Sequence, residues 1–395
     1  MKTLLAYELK KLLNQKILWV ALALGTALLV WLDMSIINNT SYAQGWHDVY
    51  AKYEGQVATE ALQQRMQEDF SSYVAAHPGD FQEAWRDDQT GVVHYMANDS
   101  GYNYGISDAY NWLSQGMTVE SVEAQYLDAK QQLENGVSQD GTPLGYNDIR
   151  FYEKIVRNGL RTPVIHDALF WLEVIYQARG ISTGILTLAV AVLALLGLFS
   201  GEASARMEAV VLSARYRQRL ASAKLVSGGI VVIAFTMFYL ALHIGLSILV
   251  YGLTGMDAPA QTVFSAMDTT ALTAGTVGFL ILLVKALAIM ACASAVAWAS
   301  ARFRNSLMSL LAAAAVLAVT MLVMVVSAIP DYYNSPVLTA ILEHAALLPL
   351  KVTLDDVLYE VARPPQLTCL LVFPVVFTAL FCWLAKRAFL RRRRA

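Results

Sequence analysis

The chain is poor in charge. Only 15% of its 395 residues are Asp, Glu, Lys or Arg, whereas 56% are hydrophobic; an average soluble domain carries about 25% charged residues. Cysteine is scarce as well. Cys292, Cys369 and Cys382 all fall in apolar runs without metal-ligand spacing, and so read as small buried hydrophobes. None lies between residues 38 and 179, which excludes a disulfide framework there. Catalytic signatures are missing. There is no G-x-x-x-x-G-K-[ST] loop, no H-E-x-x-H and no G-x-S-x-G. The histidines at 47, 77, 94, 166, 243 and 344 are scattered, and only His243 falls in a long apolar run. A membrane enzyme would therefore lack a visible catalytic cluster. No internal repeat is evident.

What is present is apolar sequence in continuous runs of about 20 residues or more, long enough to cross the bilayer hydrocarbon. The runs do not alternate, so they read as helices and not as barrel strands. The expected fold class is an all-α polytopic membrane protein with six transmembrane helices and a mainly helical extracellular domain. Residues 1–16 place Leu5, Leu9, Leu12 and Leu13 on one face, with Lys2, Glu8, Lys11 and Lys16 largely off it. That pattern fits an amphipathic helix in the membrane surface, or else a cytoplasmic extension of the first span. The first span is 17–37, with Trp19 and Trp31 as interfacial anchors. It is too long for a signal-peptide core, and no small-x-small site closes it.

Residues 38–179 change character and form a polar domain of ordinary size. Val57, Ala61, Phe70 and Tyr73 fit one helix face, and Val122, Tyr126, Ala129 and Leu133 fit another, with Thr118 as N-cap and Gly136 as stop. A third helix is expected over 147–159. Thr162-Pro163 reads as a cap followed by proline, opening a helix that bears Ile165, Leu169, Leu172 and Tyr176. The glycine-rich stretch 101–116 reads as a loop. Beyond the domain come the second span at 181–201, a charged segment at 202–224, the third to fifth spans within 225–329, an extracellular or re-entrant segment at 330–365, and the sixth span with a basic tail at 366–395.

Charge sets the orientation. The short segments assigned to the inside carry 17 basic and three acidic residues, while 38–179 carries 9 basic and 20 acidic ones. Positive charge favours the cytoplasmic side of short loops. Both termini and the 202–224 segment are thus expected in the cytoplasm of a multi-pass cell-membrane protein.

The 202–224 segment carries Glu202, Arg206, Glu208, Arg215, Arg217, Arg219 and Lys224 between nearly charge-free runs. The positive-inside rule accounts for its arginines. It does not account for an acid at the span exit, or for helical length where a tight turn would do. Glu202, Leu212-Ser213, Arg217 or Arg219, and Lys224 resemble the pattern of the permease subunits of type-2 ABC exporters, as does the opening TLLAYELKKLLNQK. The resemblance covers roughly 250 residues, everything outside 38–179. It implies a cytoplasmic coupling helix gripped by separate ABC ATPase subunits. ATP and Mg²⁺ would sit on those subunits, and this chain would bind no cofactor or metal. It also implies a dimer with a second permease copy or a related permease. The cargo would be an amphiphilic peptide, drug or lipid moved outward.

Other residues carry open readings. Lys285, mid-span, is a polar point on a translocation path, a partner for Asp33, or a structural ion pair. His243 is a proton relay or an interhelix hydrogen bonder. Tyr102, Tyr104, Tyr110 and Trp112 contact an extracellular ligand or pack the domain. The acidic balance of 38–179 suits a cationic ligand or solubility alone. The terminal arginines 391–394 suit anionic lipid at the inner leaflet, and no nucleic-acid role is expected. A membrane sensor or scaffold, whose outer domain binds a ligand without transport, is the alternative class.

Overall fold

The computed structural model describes residues 2–37, 40–86, 93–139, 141–179, 181–204, 216–264, 271–327, 349–354, 361 and 364–391. The chain is mostly helical and membrane-embedded in character. α1 (Lys2–Leu13) turns at Asn14-Gln15 into α2 (Lys16–Ile37), and the two axes differ by 60°. The polar region folds as α3 (Thr40–Tyr53), α4 (Glu60–Ala76), β1 (Phe81–Arg86), β2 (Val93–Ala97), α5 (Tyr102–Ser114), α6 (Val119–Asn135), α7 (Tyr146–Asn158) and α8 (Leu169–Arg179). The apolar remainder supplies α9 (Ile181–Ser204), α10 (Arg217–Tyr251), the short α11 (Ala260–Phe264), α12 (Ala274–Arg302), α13 (Ser306–Ser327), the six-residue α14 (Pro349–Leu354) and α15 (Pro364–Arg391).

Four helices among the described residues are long and apolar enough to cross a membrane: Gly184–Glu202 in α9, α10, α12, and Leu367–Arg391 in α15. The bent α1–α2 pair would make a fifth, and α13 adds a shorter apolar stretch, Ser306–Ala318. α12 is the hub. It packs against α8, α9, α10, α13, α14 and α15. Its face is built of small residues, with Ala288, Ala291, Ala293, Ala295, Ala299 and Ala301 all buried. Small side chains let helix backbones approach closely where lipid offers no hydrophobic drive to associate.

α14 lies among the spans. Leu350 packs with Leu188 of α9 and Cys292 of α12, and the Thr353 side chain bonds Cys292. Gly184 of α9 sits against the Thr353 carbonyl, where a Cβ would collide. The apolar piece expected over 337–350 lies, up to residue 348, outside the described residues, as do the terminal arginines 392–394.

Within the polar domain, α3 and α5 pack backbone to backbone. A Cβ at Gly45 would fall on the Tyr102 carbonyl, and one at Gly105 on the Tyr42 carbonyl. α6 has the caps its sequence announces. Thr118 and Ser121 form a reciprocal capping box, and Gly136 ends the helix at φ 70°. Two expectations are corrected. Residues 102–114 form a helix and not a loop: Gly105 is a contact point rather than a turn. The helix expected to open at Thr162-Pro163 begins at Leu169, because residues 163–165 pair as extended chain with residues 56–58. The domain also holds a two-stranded antiparallel hairpin, β1–β2, bulged between Glu83 and Trp85.

The domain rests directly on the helix ends. His47 of α3 bonds Asp167, which also accepts from Leu169 N and so caps α8. His166 reaches Glu54 at 2.9 Å, and Glu54 also accepts from Asp167 N at 2.8 Å. Trp171 of α8 lies against Gly275 and Gly278 of α12. One buried apolar cluster runs unbroken from Trp46 and Tyr110 of the domain to Val277, Ile281 and Val284 of α12.

Candidate functional site

At the opposite end of the spans, three helices meet through charge. α10 has 35 residues, about 52 Å at 1.5 Å per residue, which exceeds the roughly 30 Å hydrocarbon thickness. Its first turns can therefore stand clear of lipid. Lys224, two turns in, is fully buried there. Its ammonium lies 2.6 Å from Glu202 Oε1 in the last turn of α9 and 3.0 Å from Glu8 Oε2 of α1. It donates hydrogen bonds to Glu8 and to the Leu198 carbonyl, the latter at 3.2 Å. Lys11, one turn beyond Glu8, closes the group by bonding Glu202 Oε1 at 2.9 Å. Two lysines and two glutamates leave no net charge. Burying such a group is tolerable only with this degree of pairing, because each unpaired ion would cost several kcal/mol.

The sequence explains the placement. Glu202 ends the apolar run of α9 where the chain leaves the span, and Lys224 begins the apolar run of α10 where the chain returns. Glu8 is one turn from Leu12 on α1, and both are buried. The acid thus lies on the packed face of α1, a correction to its expected position off the apolar stripe. The signal for Glu8 was its i,i+4 spacing from Leu12. What sequence lacked was the buried cation opposite.

Further ties hold the same ends. Arg217 Nη2 donates to the carbonyls of Phe389 and Leu390 at 3.4 and 3.2 Å, capping the end of α15. The Phe199 and Phe389 rings lie 5.1 Å apart. Ser300 of α12 donates to the Leu196 carbonyl of α9 at 2.8 Å. Arg219 lies over the exposed Tyr216 ring. Arg206, Glu208 and Arg215 lie outside the described residues. The structure therefore brings Glu202 and Lys224 together, adds Glu8 and Lys11, and ties the end of α9 to the start of α10.

The other candidates are dispersed. Lys285 is buried midway along α12, and His243 is buried in α10. The side chain of Asp33 lies outside the described residues. Tyr102 and Tyr104 are partly exposed on α5, and Tyr102 donates to Asp48 Oδ2 at 2.7 Å. Tyr110 is buried, stacked on Phe70 at 4.8 Å, and serves the domain core. Trp112 is half-buried.

Where the domain meets the spans, three titrating groups are displaced the same way. Burial holds Glu173 of α8 up at about 7, with the nearby Asp108 charge adding to it. Burial also raises Asp108, opposed by the Tyr42 hydroxyl that donates to it at 2.7 Å. The Asp167 bond raises His47 above its ordinary value, against the opposing effect of burial. Among the described residues, no group of His, Cys, Asp or Glu could hold a metal ion. No family model, no curated protein and no solved structure matches the chain.

Proposed function

We propose that this chain is the permease subunit of an ATP-driven exporter, resembling the type-2 ABC class. In this reading six spans cross the cell membrane, residues 38–179 are extracellular, and both termini are cytoplasmic. The observation that carries it is the Glu202–Lys224 contact. It clamps the two stems of the 205–215 segment to each other, while Glu8, Lys11, Ser300 and Arg217 tie the stems to α1, α12 and α15. A soluble partner that grips 205–215 would then move several helices as one body. A tight turn needs no such anchoring.

In the proposed mechanism, separate ABC ATPase subunits bind ATP and Mg²⁺, close, and pull on Arg206, Glu208, Arg215 and Arg219. Differential contacts between the two ATPase states and this segment supply the coupling. Glu202, Lys224 and Arg217 act inside the permease, passing the movement on. One such chain is too small to line a two-sided path, so a second permease copy or a related permease completes it. Lys285, Asp33 and His243 are the ionisable candidates for the path. The cargo is an amphiphilic peptide, drug or lipid.

The test is co-purification of the tagged chain with a P-loop ATPase from its native membrane, followed by ATPase turnover in proteoliposomes. Arg206→Glu with Arg215→Glu is expected to abolish association. Retained association and turnover would overturn the reading. An isolated chain that binds an extracellular ligand, with no ATPase partner, would support the sensor alternative.

A further inference from the structure

At the end of the spans where Arg217 caps α15, that last helix turns from apolar to basic along one face. Val372, Val376, Leu380, Trp383, Arg387 and Arg391 follow one another at steps of three and four residues, and all are exposed. The other side of the helix carries Leu370, Ala385 and Phe389, buried against its neighbours. α15 has 28 residues, about 42 Å at 1.5 Å each, so it outruns the roughly 30 Å hydrocarbon layer. An exposed indole such as Trp383 settles at the hydrocarbon edge. Arg387 stands one turn further, about 6 Å along the axis, which is the thickness of the headgroup layer. Its guanidinium lies over the Trp383 ring, 5.1 Å from the centroid. Stacking engages the flat face of the guanidinium and leaves its N–H edge, which makes no hydrogen bond among the described residues. A planar edge held in this way matches two phosphate oxygens.

Charge at this face has one sign. Residues 364–395 contain six bases and no acid. The acids of the neighbouring helix ends, Glu8 and Glu202, are buried and paired with Lys224. The 205–215 segment adds two arginines and one glutamate, so its own balance is basic too. A soluble anion would meet the arginines and leave the apolar stripe below them bare. An anionic phospholipid satisfies both, with its phosphate at Arg387 and Arg391 and its acyl chains along Leu380, Val376 and Val372. A choline headgroup would bring its own ammonium against Arg391. We infer that this face holds an anionic phospholipid as a bound ligand, selected over zwitterionic lipid by the two guanidinium groups. The inference rests on α15 crossing the membrane, and on neither an ATPase partner nor transport.

The test uses the full chain, purified in a neutral detergent without any partner. It is offered equal amounts of dioleoyl phosphatidylglycerol and dioleoyl phosphatidylcholine, and bound lipid is counted by native mass spectrometry. Preferential retention of phosphatidylglycerol is expected. Arg387→Gln should lower its affinity about fivefold, the worth of one base at an anionic headgroup. Trp383→Leu keeps every charge but removes the ring that holds the guanidinium, and should lower it about two- to fivefold. Both positions are exposed, and unchanged circular dichroism would show that the helices are intact. Lys10→Gln removes an equal charge from exposed α1 and should leave the affinity within about twofold, since screening confines each base to its own surroundings. Inorganic phosphate should not displace the lipid, because it cannot cover the apolar stripe. Equal retention of the two lipids, an equal loss from Lys10→Gln, or displacement by phosphate would overturn the inference. So would a dimer that carries no lipid, which would assign the face to a second copy of the chain.

Discussion

The Lys224 ammonium and the Glu202 carboxylate lie 2.6 Å apart, on residues 22 positions apart in sequence, in the first turns of α10 and the last turn of α9. The pair ties the last turn of α9 to the first turns of α10. Glu8 of α1 shares the same ammonium at 3.0 Å, so the amino-terminal helix cannot shift without disturbing the pair.

Replacing Lys224 by Met should be severely destabilising. It leaves Glu8 and Glu202 facing each other, buried, with only Lys11 to compensate. Breaking a buried pair costs about 3–5 kcal/mol. Thermal unfolding of the purified chain would show the loss. The double replacement Lys224→Met with Glu8→Gln should recover part of it, by removing one of the stranded charges. Equal stability of the single variant and the parent would show that water reaches the group.

Arg217→Gln tests the tie to the last helix. It removes a charged donor from two terminal carbonyls. The expected cost is about 1 kcal/mol, confined to the end of α15. Hydrogen exchange of residues 386–391 should quicken several-fold, the response of a local cap, while exchange in α12 stays unchanged.

Gly105→Ala should separate α3 from α5. Its Cβ would meet the backbone carbonyl of Tyr42, which cannot swing aside like a side chain. Overpacking of this kind costs about 1–3 kcal/mol. Limited proteolysis of the domain should accelerate. Gly136→Ala, at a left-handed position open to solvent, should cost about 1 kcal/mol, a smaller loss.

The domain–span junction should weaken as pH rises. Glu173 keeps its proton up to about 7 when folded, against 4.5 for an ordinary glutamate. Between those values the folded state holds a proton that the unfolded state lacks, so stability falls with rising pH. His47 is raised above 6.5 by Asp167. Its contribution is complete below 6.5 and is lost as pH rises through the folded value. The two groups act in the same direction. Melting temperature should decline from pH 5 to pH 8, and Glu173→Gln should flatten the decline. A melting temperature that rises over this range would contradict the assignment.

Much of this organisation is readable from residues alone. Thr118 and Gly136 announce α6 because caps act locally, and the apolar runs announce the spans. Glu202 and Lys224 stand out because charge is rare beside them. Glu8 does not, since its burial depends on a lysine 216 residues away. The helix α5 was hidden by Gly101, Gly105 and Gly116, which look like loop punctuation. Only the approach of α3 shows that Gly105 serves contact. Pro163 signals a helix start equally well as it signals extended chain, and pairing with residues 56–58 decides the matter.

The position of α14 bears on how the chain is made. Its Leu350 and Thr353 lie against α9, α12 and α13, at Gly184, Cys292 and Leu317. Six residues have too few internal hydrogen bonds to enter lipid alone. The segment has no home until helices begun up to 168 residues earlier have assembled around its niche. Assembly here therefore follows chain order, with α14 docking after α9, α12 and α13 have met. A thiol probe at Cys292 would time that closure: the cysteine is open to labelling in ribosome-bound chains halted after α13, and shielded once residue 354 has emerged and folded back.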